Sequence, residues 1–505
     1  MRYSRTVDSY DLLVVGGGIN GVGIARDAAG RGLSVLLVEQ HDLAAHTSSA
    51  STKLIHGGLR YLEHLHLALV RKALLEREIL LGSAPHIMRP LRFVLPQARE
   101  LRPAWMIAAG LFLYDHLARR RRLAGSATID LRRHVAGTCL KSRYERGFVY
   151  SDGWTDDARL VVLNAVDARE RGAAVHTRTR CERLEPVAGD WVATLATPSG
   201  RRLVRARAAV NAAGPWAGRF SGDVAPVRPS RTIRLVKGSH IVVPGLFTHR
   251  FAYLLQNEDR RVVFAIPFEG AFTLIGTTDV EYTGDPAAPC IDALEVAYLC
   301  AAANRYFATP IGPEHVVWSY SGVRPLVEDD SADPSSVTRD YVLELERHPA
   351  PLLSVLGGKI TTYRKLAEGA VDRLAGALGL ALPPWTAAGV LPGGDLPRGS
   401  FASFLRALAR ACPWLPHELR FRLARAYGTR VSRLLDGARS IADLGEEILP
   451  QLYERELEHL RREELAQTAE DILWRRGKLG LRVGAEGARR LDAWLARRAR
   501  ADIAV

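Results

Sequence analysis

The stretch that most constrains this chain is Tyr10–Glu39, YDLLVVGGGINGVGIARDAAGRGLSVLLVE. Leu12 to Val15 is an apolar run of strand character that stops at Gly16-Gly17-Gly18. Ile19 to Gly30 then carries apolar and small residues at helical spacing, and Ser34 to Val38 is a second apolar strand. Strand, glycine turn, helix and strand within about 30 residues have the size of one βαβ unit. Gly16-x-Gly18-x-x-Gly21 falls on the strand-to-helix junction. There the first glycine permits the tight turn, the second lets a pyrophosphate approach the backbone, and the third lets helix and strand pack closely. The diphosphate would rest on the positive end of the helix. Glu39 ends the second strand, where an acid accepts from a ribose hydroxyl. An acid at that place suits NAD or the adenosine half of FAD and disfavours a 2′-phosphate. The motif alone does not separate the two.

A chain of 505 residues exceeds what one core usually holds, so two or three domains are expected. The five cysteines (139, 181, 290, 300 and 412) are scattered, with neither a C-x-x-C pair nor metal spacing. That pattern points to buried thiols in a reducing compartment and to no metal. MRYSRTVDSYD has no apolar core of a secretory signal. The longest apolar stretch, Trp105–Tyr114, is about half a membrane span. The net charge of +14 favours an anionic partner, whether nucleic acid, anionic lipid or substrate. Arg119–Arg122 and the Arg-rich final third carry much of it.

The hydroxyl-rich TSSASTKLIHGGLRYL (Thr47–Leu62) offers amides and hydroxyls for anion or cofactor contacts, with His56, Arg60 and Tyr61 flanking a Gly-Gly pair. Leu65–Leu81 has the spacing of a surface helix. Trp105–Leu117 leads into the four arginines, and two readings stay open: a core helix with a solvated basic end, or a membrane-surface patch. Phe148–Gly153 reads as a strand entering a helix over Ala158–Arg171. Residues 173–210 read as a β meander ending at Asn211-Ala212-Ala213-Gly214, and 231–345 as mainly β. Leu352–Leu356 followed by Gly357-Gly358 is a late strand and turn. A Pro/Gly-rich linker over 382–399 precedes a helical pattern that runs to the end.

GGGINGVGIARDAAGRGLSVLLVE, TSSASTKLIHGGLRYLEH, RPAWMIAAGLFLYDHL, NAAGPWA, KGSHIVV, LLQNEDRRVVFAIP, IGTTDVEY, YSGVRPL, TRDY and LGGKITTYRKLAE occur in this order. Together they resemble the FAD-dependent, membrane-associated glycerol-3-phosphate dehydrogenases of aerobic bacteria; the C-terminal part, with VLPGG and LWRR, matches less distinctively. The resemblance implies an α/β fold: a split FAD-binding domain of the glutathione reductase type, an antiparallel β-rich substrate cap and an all-α C-terminal domain. The expected boundaries are 10–80, 148–220 and 350–381 for the FAD domain, 81–147 and 221–349 for the cap, and 400–505 for the helical domain. It also implies oxidation of sn-glycerol 3-phosphate to dihydroxyacetone phosphate, with electrons leaving for membrane quinone. The enzyme is then expected on the cytoplasmic face of the membrane, held peripherally by anionic lipid, as a homodimer, with no nucleic-acid partner. A glycerol-3-phosphate oxidase or related amine oxidase, passing electrons to oxygen, is the alternative. A single dinucleotide fingerprint and the lack of a redox cysteine pair disfavour a two-cofactor reductase.

The expected FAD contacts are Gly16, Gly17, Gly18, Asn20, Gly21, Glu39, Ser48, Ser49, Ala213 and Gly214, with Gly358, Lys359, Ile360, Thr361 and Thr362 at the flavin end. Amides of that late turn would face the flavin oxygen where charge grows on reduction. A phosphate asks for bidentate donors, which arginine supplies best; Arg60 and Arg324 are the candidates, with Tyr61 and Thr277 as further donors. Removal of the C2 hydride leaves a hydroxyl proton for a base. His240 and His56 are both candidates, while Lys359 and Arg324 are candidates to polarise the hydroxyl.

Overall fold

The computed structural model describes residues 7–63, 65–97, 102–227, 231–259, 261–327 and 340–503. Thr338 and Arg339 of the TRDY segment lie outside them. One sheet runs in the order Val342–Glu346, Leu352–Leu356, Gly200–Asn211, Asp8–Val15, Val35–Val38, Ala174–His176. Along this path all neighbours are parallel except the Val342–Glu346 edge, and off it Asp190–Thr197 pairs antiparallel with Gly200–Asn211. Parallel strands need cover on both faces. Helices Ile19–Gly30, Asp157–Glu170 and Tyr363–Ala377 supply one side, packing Val22, Val162 and Leu366 against Leu12, Val14 and Leu37. The hairpin Arg180–Val187/Asp190–Thr197 covers the other, with Trp191 fully buried against Leu13 and Leu36.

The second sheet is largely antiparallel. Its order is Val280–Glu281, Ile233–Pro244, Phe272–Gly276, Val262–Phe268, Ala252–Gln256, Met88–Pro96, Arg146–Thr155, Leu54–Ile55. Trp318–Val327 pairs with Ile233–Pro244, and Ala127–Asp130 with Arg146–Thr155. Two segments assigned by sequence to the FAD domain therefore belong to this sheet. Arg146–Thr155 pairs along its whole length with Met88–Pro96, and Leu54–Ile55 pairs with Gly153 and Trp154. An apolar strand reads the same whichever sheet it joins, so the chain order alone misplaces it. A helix, Ala293–Tyr306, also interrupts the stretch read as β. It opens on a capping box in which Asp292 and Glu295 each accept the other's backbone N–H.

The helix expected to lie on the surface is Leu67–Ser83, and it buries Glu76 and Arg77. Both are paired, Arg77 with Asp152 at 2.6 Å and Glu76 with Arg364 at 2.6 Å. The stretch read as a linker is packed: Trp385 donates its indole N–H to the Asp27 carbonyl, and Leu391 and Leu396 are buried. Beyond it lie helices Phe401–Ala411, His417–Tyr427, Glu454–Arg462 and Ala485–Ile503, with a core of their own around Leu419, Leu423, Leu457 and Trp494. A short hairpin, Glu447–Leu449/Leu452–Tyr453, is set among them.

Candidate active site

At the nucleotide end the backbone does the positioning. Gly16 follows the first strand and donates to the Val38 carbonyl at 2.9 Å. A Cβ on Gly21 would stand 1.9 Å from the Gly16 carbonyl oxygen, so only glycine lets helix and turn come this close. Gly18 differs, since within 4 Å a Cβ there would meet only Ser48 Oγ, at 3.1 Å. Its open side faces a cavity of about 440 Å³ lined by Gly16, Gly18, Glu39, Ser48, Ala213, Gly214 and Trp216. Ser48 Oγ accepts from the Ile19 N–H at 3.0 Å, at the helix start, where an anion is favoured. Ser49 turns its hydroxyl to the His46 carbonyl.

Glu39 accepts from the Gly17 N–H at 2.7 Å and the His41 N–H at 2.8 Å. Burial lifts its carboxyl above the usual range, against those two donors. His41 Nδ1 and His46 Nε2 meet at 2.9 Å beside it. These three side chains bring potential metal ligands together, but both Glu39 oxygens are committed to backbone donors and the imidazoles to each other. The group therefore reads as a hydrogen-bonded cavity wall.

The turn expected to meet the flavin is built on Gly357 and Gly358, both left-handed at φ +74° and +97°, a conformation only glycine adopts without strain. Asn20 donates its Nδ2 to the Gly357 carbonyl at 3.2 Å, linking this turn to the first helix, and its Oδ1 is buried without a protein partner. Thr361 and Thr362 are buried and Ile360 half-buried. Thr361 Oγ1 accepts from the His56 N–H at 3.2 Å, and Lys359 Nζ lies 4.4 Å above the Tyr61 ring. The late turn and the LIHGGLRY segment are thus joined through side chains about 300 residues apart (|i−j| = 305 for His56 and Thr361).

Beneath Gly57 lies a polar column that sequence reasoning missed. The Gly57 N–H donates to Tyr114 Oη at 2.7 Å, Tyr114 donates to Asp152 at 2.8 Å, and Asp152 pairs with Arg77. Burial raises both the Tyr114 and the Asp152 pKa. The column supports the turn that presents Arg60 and Tyr61, which are half-buried.

The cap sheet supplies the rest. Arg324 pairs with Asp279 and donates from its other terminal nitrogen to Thr277 Oγ1 at 2.8 Å. Glu295 fixes the adjoining turn by accepting from Thr278 Oγ1 at 2.7 Å and Ser239 Oγ at 2.9 Å. One residue before Arg324, the Val323 carbonyl accepts from Thr47 Oγ1 at 2.6 Å, and Thr47 lines the nucleotide cavity. His240 is buried, stacked at 4.7 Å on Tyr320, with Nε2 3.0 Å from Thr52 Oγ1. Burial first, then the Arg324 and Lys53 charges, hold its imidazole well below the usual pKa, so it is neutral near pH 7.

Lys53 is also missing from the sequence-based set. It is buried, paired with Asp157 at 2.8 Å, and 4.9 Å above the Tyr320 ring. Its place inside the hydroxyl-rich segment was the available signal. Its partner, 104 residues away, was not.

The sequence model for FAD-dependent oxidoreductases matches residues 11–364, and that for the C-terminal domain of alpha-glycerophosphate oxidase matches 385–499. The glycerol-3-phosphate dehydrogenase of Pseudomonas aeruginosa is 55% identical, over 96% of this chain and 95% of that protein. The chain belongs to the FAD-dependent glycerol-3-phosphate dehydrogenase family. FAD is the cofactor of the family, and the residues fit it: an open cradle at Gly18, an acid at the ribose position, and an orphaned Asn20 oxygen beside the late Gly-Gly turn. The crystal structure of the Bacillus halodurans glycerol-3-phosphate dehydrogenase complexed with FAD superimposes with a TM-score of 0.79 at 30% identity, covering 98% of this chain and 91% of that one. The D-erythritol 1-phosphate dehydrogenase of Brucella abortus is 49% identical, over 93% of this chain and 94% of that protein.

Proposed function

We propose that the enzyme oxidises sn-glycerol 3-phosphate to dihydroxyacetone phosphate and delivers the electrons to a quinone in the membrane. When bound, FAD supplies the acceptor for the C2 hydride. The observation that carries the reading is the placement of Arg324. Its guanidinium is oriented by Asp279 and Thr277, on a strand hydrogen-bonded to the wall of the dinucleotide cavity. We assign Arg324 as the first phosphate donor, the phosphate exchanging with its Thr277 and Thr278 contacts, and Arg60 as the second. Asp279 offsets part of the charge, leaving the pair suited to binding and release.

Of the two histidines, His56 is the better proton acceptor. It sits half-buried at the Gly57–Gly58 turn, and its amide is anchored on Thr361. His240, neutral and covered by Tyr320, positions Thr52 and the segment that follows it. Lys359, held over Tyr61, brings a positive charge beside the late turn.

The identity to the Brucella abortus enzyme supports a second substrate reading, a phosphorylated four-carbon polyol. Anaerobic addition of each compound to the yellow protein tests both. Bleaching by glycerol 3-phosphate with the higher kcat/KM supports the first reading, and the reverse preference overturns it. Oxygen consumption matching turnover would replace quinone by oxygen.

Among the described residues no helix is long and apolar enough to cross a membrane. In our reading the contact is helix Ala104–His116, which leaves Trp105 71% and Phe112 64% exposed beside Met106 and Leu113. Arg119–Arg122 follow it, with Arg120 bridged to Asp115. Each basic residue near an anionic leaflet contributes about 1 kcal/mol, screened by salt, whereas inserted apolar residues resist salt. Replacing Arg119–Arg122 with Ser should weaken binding to anionic vesicles and quinone reduction while sparing turnover with a soluble dye. Equal loss of both activities would exclude this patch, placed here on the cytoplasmic face.

A further inference from the structure

The wall of the nucleotide cavity between Glu39 and His46 is held from outside its own domain. Asp42 is 1% exposed. Its carboxylate accepts from Arg475 Nε at 2.7 Å and from both terminal nitrogens of Arg476 at 2.6 and 2.8 Å. Both arginines belong to the turn Asp471–Arg476 of the C-terminal region. Arg178 stands 3.5 Å from Asp42 and is itself held by Asp471, at 2.9 and 2.8 Å to its two carboxylate oxygens. Asp471 also takes Arg475. Two buried carboxylates and three guanidiniums therefore meet where the helical region docks.

Asp42 lies three residues from the ribose acid, and the intervening backbone is tied at each end. The Thr179 N–H donates to the Glu39 carbonyl at 2.8 Å, and the Arg178 N–H to the His41 carbonyl at 2.8 Å. Ala44, left-handed at φ +60°, donates to the Gly17 carbonyl at 3.2 Å. Gly17 in turn donates to Glu39. Hydrogen bonds thus link Glu39 to Gly17 and Gly17 to Ala44 around the glycine turn, and Asp42, on the chain between Glu39 and Ala44, is gripped by Arg475 and Arg476. A non-glycine residue in the left-handed region persists when its surroundings over-determine it. A carboxylate here is a second acid beside Glu39, and without its guanidiniums it would have to move toward water.

We propose that Arg475 and Arg476 of the C-terminal region are positioning residues for FAD: by gripping Asp42 they hold the Glu39–His46 wall in its ribose-binding conformation. The inference rests on the assignment of the cavity to FAD and is independent of which polyol phosphate is oxidised. It gives the helical region a part in cofactor retention as well as in docking.

The test uses the full-length holoenzyme and reads flavin released on ultrafiltration, the Kd of FAD for the stripped protein, and kcat at saturating FAD. Asp42→Asn should weaken FAD binding roughly tenfold or more, because the charge-assisted contacts are lost while the shape is kept. Its kcat at saturating FAD should stay within about twofold, since the reacting groups lie elsewhere. Arg476→Lys, which keeps charge and loses the fork, should fall between the two proteins. The control is Glu170→Gln, which breaks another ion pair between the C-terminal region and the FAD domain, Arg430–Glu170, without touching Asp42 or Arg476. Unchanged FAD affinity in Asp42→Asn, or equal weakening in Glu170→Gln, overturns the proposal. If Asp42→Asn does not fold, Arg476→Lys decides, and wild-type FAD affinity there overturns it.

Discussion

The two ends of the site are built from different materials. At the nucleotide end the functional groups are backbone amides and carbonyls, brought close because Gly16, Gly18 and Gly21 carry no side chain. At the proposed substrate end they are long side chains: Arg324, steered by Asp279 and Thr277, and Lys359, held over Tyr61, with Arg60 as a further candidate. A site made of absent side chains is damaged by additions. One made of steered side chains is damaged by deletions and by loss of a partner.

The largest effect should come from an addition at the nucleotide end. Gly21→Ala places a methyl 1.9 Å from the Gly16 carbonyl, and overpacking of backbone against backbone should cost about 3 kcal/mol or more, with FAD lost. Denaturant unfolding and flavin content measure it. Gly18→Val, facing the open cavity, should instead lose flavin while keeping most of its folding stability. If the two variants behaved alike in unfolding, the distinction between a packing glycine and a cradle glycine would fail.

Next comes the substrate end. Arg324→Lys keeps the charge but not the planar fork held by Asp279 and Thr277. Catalytic efficiency for glycerol 3-phosphate should fall at least about tenfold, or roughly 1.4 kcal/mol, with much less change for unphosphorylated glycerol. Equal losses on both would mean that Arg324 acts in the chemistry or the fold. The smallest effect should be a deletion at the nucleotide end. Ser48→Ala removes the acceptor of one helix-terminal N–H, worth about 0.5–1 kcal/mol, and FAD affinity should change by less than about fivefold. A loss as large as that in Arg324→Lys would show that side chains matter equally at both ends.

The same contrast explains what could be read in advance. The βαβ unit, its glycines and Glu39 are local: each needs neighbours within about 30 residues, and sterics leave few alternatives for such a run. The late Gly357–Gly358 turn was legible for the same reason. Helix Ala293–Tyr306 was passed over although Asp292 and Glu295 spelled its capping box, because the flanking apolar runs matched a strand equally well.

By itself, then, the sequence determined the dinucleotide turn, the helices and strands around it, and the residue types available for a phosphate and a proton. Only the tertiary structure decided that Arg146–Thr155 joins the cap sheet and that Glu76 and Arg77 are buried. It also decided that Asp279 holds Arg324, and that Asp42 is gripped by arginines more than 430 residues away (|i−j| = 433 and 434). The physical reason is one of range. Steric limits on φ and ψ act between neighbours and leave a period or a motif in the chain. A buried charge has no period, and its partner is set by whichever element the fold packs against it.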